Sequence, residues 1–387
     1  MKFYIILGIL LISQSFSATN LYVGYSGRSN NFGTIQSAVN RAAQLNPQSE
    51  SQRVIIHIAP GKYRQQVIIQ TPYITLINDE TAKGTVTITW YYGIGYKYYS
   101  TNANGYYDSN LARSKKSKRI ASKWGATVQI WPNAKYFKAV NIIFENSFNR
   151  YMTVEEINDG VELTGDRSVS SINFRRTSSS DVKSRAATER GAALTAEAPY
   201  AEFYQCRFYS SQDTLYTGGS PQYYNKCVIE GQTDYIFGEA NVVFDFCELR
   251  WKGYTGTNYP GYITAARQGR TNPYYGYLFN KCRVYGSSQN LPTTAGYLGR
   301  PWGNTAKVMF INTTLQDKNM ILPAGWADMS GVRPENVAGF KEYGTKLKDG
   351  SGVSLSSRKG HTISANDAAA VNKKGYINNW TPTYYGK

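Results

Sequence analysis

The 387-residue chain is 41% hydrophobic and 18% charged, contains 35 Gly and 33 Tyr, and carries a formal charge of +17. The apolar content excludes a disordered chain, and so many Gly and Tyr with so few charges fit a long β structure better than a helical bundle. The charge points to a polyanionic partner, for which nucleic acid and acidic polysaccharide both qualify, or to no more than solubility.

The chain opens on Lys2, an apolar run from Phe3 to Ile12, and the small residues Ser15 and Ser17. This pattern predicts a cleaved export leader over residues 1–17 and a mature chain of 18–387. The apolar run is about half of the ~20 residues that cross a bilayer, and no later run is longer, so no membrane partner is expected. No Pro/Ser/Gly-rich linker divides the remainder, which predicts one elongated domain. From Thr34 to Gln44, the residues Ile35, Ala38, Val39 and Ala42 recur at helical spacing. A helix there is suited to closing the open end of a coil. Arg53 to Ile58 and Gln66 to Ile69 read as strands around the turn Pro60-Gly61. The Tyr-rich stretch from Tyr91 to Tyr107, which holds the Asn104-Gly105 turn signal, is either a cleft wall or a surface loop.

Further along, Cys206, Cys227, Cys247 and Cys282 each precede an apolar residue by two places, at intervals of 21, 20 and 35 residues. They read as four versions of one strand, with an inserted loop in the third interval. Asn141-Ile142-Ile143-Phe144 and Asn312-Thr313-Thr314-Leu315 look like earlier and later members. Short strands repeating about every 20 residues predict an all-β, single-domain parallel β-helix; hairpin signals, which an antiparallel sandwich needs, are scarce.

The repeat carries the chemistry with it. Asp213 lies seven residues after Cys206, and Asp234 seven after Cys227. The two carboxylates therefore share one phase of consecutive coils, about 5 Å apart. Such a pair cannot ionise cheaply together, so one is expected to keep its proton as an acid while the other stays an anion. Read blandly, both are solvated turn residues. Gln212 adds an amide donor for an oxyanion, Tyr216, Phe237 and Trp302 add aromatic surface for sugar rings, and Arg300 offers a bidentate partner to a carboxylate. His57 and His361 look like satisfied core or surface residues, which leaves a Ser-His-Asp site without its histidine. With only two His and no CxxC pair, a zinc site is not expected.

Three blocks, Ser211-Gln212-Asp213-Thr214-Leu215-Tyr216, Thr233-Asp234-Tyr235-Ile236-Phe237-Gly238 and Leu298-Gly299-Arg300-Pro301-Trp302, resemble the signature segments of pectin methylesterases. Weaker similarity runs from Phe32 to Pro382, and Gly325-Trp326-Ala327-Asp328-Met329-Ser330-Gly331 resembles the bacterial branch more than the plant branch. The resemblance implies a right-handed parallel β-helix, secretion, a monomer that acts on pectin rather than nucleic acid, and ester hydrolysis with no cofactor or metal. It also implies roles: Asp234 as nucleophile, Asp213 as acid and then base, Gln212 at the oxyanion, and Arg300 orienting Asp234. Tyr216, Phe237, Trp302 and Met329 match cleft-lining positions, and a disulfide joins residues matching Cys227 and Cys247. Pairing Cys206 with Cys227 and Cys247 with Cys282 is an alternative.

One departure stands out. Where the family has a second oxyanion glutamine, this chain has Arg190, in Arg190-Gly191-Ala192-Ala193-Leu194. Arg190 is therefore expected at the substrate, either donating to the oxyanion or pairing with an aspartate. The alternative function is a catalytically weak or inactive pectin-binding homologue. Asn312 and Asn379 begin N-x-T sequons.

Overall fold

The computed structural model describes residues 18–79, 83–102, 105–114, 119–120, 123–159, 162–163, 190–253, 260–267, 275–287 and 295–387. The expected leader and Asn104 lie outside the described residues. Three sheets of 12, nine and seven strands pair almost wholly in parallel and wind into a right-handed β-helix. One coil shows the pattern. Ala201–Tyr204 lies in the 12-stranded sheet, Arg207–Tyr209 in the nine-stranded, Leu215–Thr217 in the seven-stranded, and Gln222–Asn225 returns to the first.

The cysteine repeat is a corner, and in this it differs from the single strand expected. Before each Cys stands a residue with left-handed backbone: Gln205 (φ 54°), Lys226 (53°), Phe246 (53°) and Lys281 (53°). That conformation ends the 12-stranded sheet's strand and starts the nine-stranded sheet's strand. Asn141 (53°) and Asn312 (56°) occupy the same corner in other coils. Inside, the register stacks like on like. Phe203, Tyr224, Phe244, Phe279 and Phe310 form a ladder of parallel rings with centroids 4.3–4.9 Å apart, which is the spacing of neighbouring strands.

Helix α1 (Ile35–Leu45) covers the first coils, burying Ile35, Ala38, Val39 and Ala42. The Thr34 side chain accepts from the Ser37 N–H at its start, and left-handed Asn46 ends it. The C-terminal residues return along the 12-stranded sheet, where Tyr384 stacks on Tyr204 at 4.2 Å.

The Tyr-rich stretch is neither a bare cleft wall nor a loop. Trp90, Tyr91, Tyr92, Tyr96, Tyr98 and Phe148 form a second buried core, beside a small antiparallel sheet of Tyr96–Tyr98, Arg119–Ile120 and Glu162–Leu163. Buried Asn146 joins this core to the helix, its Nδ2 donating to the carbonyls of Tyr92 (2.8 Å), Gly125 (3.1 Å) and Ala192 (3.0 Å). The Ile94 N–H also donates to the Arg190 carbonyl at 2.8 Å. This aromatic pack therefore holds the backbone on which Arg190 sits.

Candidate active site

The site forms where the chain leaves the nine-stranded sheet for the seven-stranded one. Asp213 and Asp234 have left-handed backbone (φ 61° and 49°), a conformation that Asp tolerates better than most residues. Arg190, Gln212 and Thr233 are bridged in one row, and Leu215 pairs with Ile236. The two aspartates therefore lie one coil apart in register, about 5 Å between strands. The turn geometry explains why Asp occurs here, but the solvated-turn reading fails, since each residue is only 5% exposed.

Burial and charge separate the two carboxyls. Burial, and then the neighbouring Asp234 carboxylate, push Asp213 from 3.8 up to about 8. Asp234 is also raised by burial, but against the pull of Arg300, whose Nε and Nη2 donate to its two carboxylate oxygens at 2.8 and 2.6 Å. Near neutral pH the arrangement accordingly holds a protonated Asp213 next to an ion-paired Asp234. The charge of Arg190 favours the ionised form of both. Gln212 is buried beside them, with its amide bonded to Asp213 and its Oε1 lacking a protein partner.

Arg300 is positioned by close packing. It lies on strand Gly296–Pro301, directly after Gly299, where a Cβ would fall 1.9 Å from the Thr264 hydroxyl. Only glycine lets the two strands approach there. The guanidinium then lies 4.1 Å from the centre of the Tyr262 ring, which fixes its plane.

Tyr216 and Phe237 are adjacent rungs of the seven-stranded sheet and pack with Ala265 and Trp302. A fourth aromatic joins them that sequence reasoning missed. Trp124 lies 5.5 Å from Tyr216, 5.1 Å from Phe237 and 5.9 Å from Trp302 by ring centroids. It belongs to no repeat, and its only local signal is the following Gly125. Met329 is outside this cluster, partly exposed in a tight turn whose backbone pairs with Val332.

Cys227 and Cys247, the pair expected to bridge, stand on adjacent rungs. All four cysteines are free thiols, buried in one inward column. The column spacing permits several pairings of adjacent rungs, with Cys247 hydrogen-bonded between Cys227 and Cys282. His57 is satisfied elsewhere, between Asp79 (2.8 Å) and Asn20 (2.9 Å). His361 is exposed.

A family model described as Pectinesterase matches residues 169–380, more than half of the chain. "Probable pectinesterase A" of Aspergillus fumigatus is 39% identical over 194 residues, 50% of this chain and 55% of that protein. Pectinesterase QRT1 of Arabidopsis thaliana is 29% identical over 312 residues, 80% of this chain and 65% of its own. The chain thus spans between half and two thirds of the length of these curated relatives, which are fungal and plant. Among solved structures, the pectin methylesterase of Aspergillus niger is similar at a TM-score of 0.63 and 26% identity, covering 95% of this chain and 100% of that one. A pectin methylesterase mutant in complex with a hexasaccharide has a TM-score of 0.67 at 23% identity, covering 95% of this chain and 99% of its own, a likeness of fold. With the three sequence blocks gathered at one buried corner and the family model spanning them, the chain belongs to the pectinesterase family.

Proposed function

We propose that the protein is a secreted pectin methylesterase, which hydrolyses galacturonate methyl esters to pectate and methanol. The observation that carries this reading is the buried carboxyl pair with Arg300 bidentate on Asp234. Asp234, kept anionic by Arg300, attacks the ester carbonyl carbon, and the carbonyl oxygen becomes an oxyanion facing the Gln212 amide and Arg190. As the intermediate collapses, the C–O bond to the methoxy group breaks. Asp213 gives that oxygen its proton, so methanol leaves and an acyl anhydride remains on Asp234. Asp213, now a carboxylate, takes a proton from water, whose oxygen attacks the acyl carbon. Galacturonate departs and both aspartates return to their starting states. Tyr216, Phe237, Trp302 and Trp124 supply the aromatic wall for the sugar rings, with Met329 at its margin.

The reading includes cleavage of residues 1–17, one domain over 18–387, a monomeric state and export. Among the described residues, no helix is long and apolar enough to cross a membrane. The Gly325 to Gly331 segment supports a kinship with the bacterial branch, although the curated relatives compared are fungal and plant. Methanol release from highly methylated pectin without loss of viscosity is the expected result. New chain ends and falling viscosity would assign the site to depolymerisation, and pectin binding without methanol would leave a non-catalytic homologue.

The pH profile tests the role given to Asp213. The acid must be protonated when methoxide leaves, so kcat is expected to fall as pH rises through about 8. Arg190 favours the ionised form of Asp213. Replacing Arg190 by Gln removes that pull and should move the alkaline limb to higher pH. A limb that stays in place in Arg190→Gln would show that the Arg190 charge does not act on the proton donor.

A further inference from the structure

A second charged feature lies across the nine-stranded sheet from the aspartates, on the corner that carries the cysteine column. Its outward residues in consecutive coils are Lys226, Phe246 and Lys281, aligned because Asn225, Asp245 and Asn280 pair in register. Phe246 is unusual on two counts. It is 40% exposed, and it has φ 53°, a region that bulky side chains rarely adopt. No core packing accounts for it, since the inward place at this corner is held by Cys247.

The charge around this ring is lopsided. Lys281 reaches to 5.7 Å from the centre of the Phe246 ring, and Lys226 to 6.0 Å from that of Tyr204. Arg207 and Arg283 follow on the adjoining strands. The carboxylate in the groove, Glu248, is already paired with Arg250 and with Arg283 at 3.1 Å. Asp245 is buried and bound to Lys373 at 2.5 Å. Among the described residues, no carboxylate pairs with Arg207, Lys226 or Lys281. Lys226, Phe246, Glu248, Lys281 and Arg283 border an open groove of about 390 Å³.

We infer that this corner is a second polysaccharide-binding site, which takes a de-esterified, polyanionic stretch of galacturonan along the helix axis. Lys226 and Lys281 are two rungs apart, about 10 Å, so they present cations at a regular interval with an apolar ring between them. A polymer that alternates carboxylates with sugar ring faces complements both features. The polymer's identity rests on the function proposed above, because its acidic stretches are that reaction's product. The groove and the aspartates are on different corners, so an acidic block can be held here while a methylated block occupies the cleft.

The test is equilibrium binding of fully de-esterified polygalacturonate to the wild type and to Lys226→Glu/Lys281→Glu. Both are produced without N-glycans, because Asn312 is exposed on the next rung. At low ionic strength the double variant is expected to bind about ten-fold more weakly, with the gap narrowing as salt rises. Phe246→Ala should weaken binding about three-fold at either salt. Methanol release from a methylated oligosaccharide too short to reach the groove should be unchanged, which also shows that the variant folds. Equal polymer binding by both proteins overturns the proposal, and so does duplex DNA that binds the corner as tightly as the galacturonan. A protein that releases no methanol yet loses polymer binding on charge reversal would sink the esterase reading and leave this site standing.

Discussion

Asp234→Ala is expected to lower methanol release by about 10³–10⁴-fold while pectin binding stays nearly constant. The wild-type side chain is 5% exposed and held through both oxygens by Arg300, so no other group can take its place at the carbonyl carbon. In the proposed function the sugar rings bind the aromatic wall rather than this carboxylate, so the loss should appear in kcat with KM little changed. The variant should still fold. Arg300, freed of its partner, keeps the Tyr262 ring and retains some contact with water. Kinetics at saturating pectin, with thermal melts of both proteins, decide the matter. Residual turnover above roughly 1% of wild type would show that water, not Asp234, makes the first attack.

Arg300→Met should damage both activity and stability. Burial already raises Asp234 against the pull of this arginine, and without it the carboxyl gains a proton and stops being a nucleophile. A loss of about 10²–10³-fold in kcat is expected, with the acid limb of the pH profile moved upward. Removing one partner of a buried pair costs about 3 kcal/mol, which corresponds to a Tm lower by roughly 5 °C in a chain of this size. The pH dependence has a definite sign. A carboxyl whose folded pKa exceeds its unfolded value contributes its stability below the unfolded value and loses it as pH climbs through the folded one. The Tm deficit should therefore be small near about pH 4 and grow towards neutrality. A deficit that shrinks on the same climb would mean that Arg300 does not hold a buried anion.

The coil repeat was legible in the chain because a stacked solenoid makes every rung answer the same packing problem. Inward Cys206, Cys227, Cys247 and Cys282, and the apolar residue two places on, recur because each is buried against the corresponding position of the coils above and below. The phase of Asp213 and Asp234 followed from the same arithmetic, and α1 announced itself through its apolar face. The meaning of the repeat was harder to see. A left-handed residue such as Lys226 ends one strand and begins another, and local sequence does not show that bend where the residue is neither Gly nor Asn.

Residues outside the repeat could not be placed from sequence. Trp124 meets the cleft rings, and the Tyr-rich stretch meets the Arg190 backbone, only through tertiary contacts such as those of Asn146. By itself, the sequence determined the stacked-coil architecture, the pairing of two aspartates in one phase, and the identity of the groups around them, because periodic burial writes itself into periodic residue types. The tertiary structure decided how burial and Arg300 set the two carboxyls apart, which aromatic rings meet, and where the basic surface is concentrated. Those outcomes depend on desolvation and on distances between residues from different coils, and no spacing along the chain encodes them.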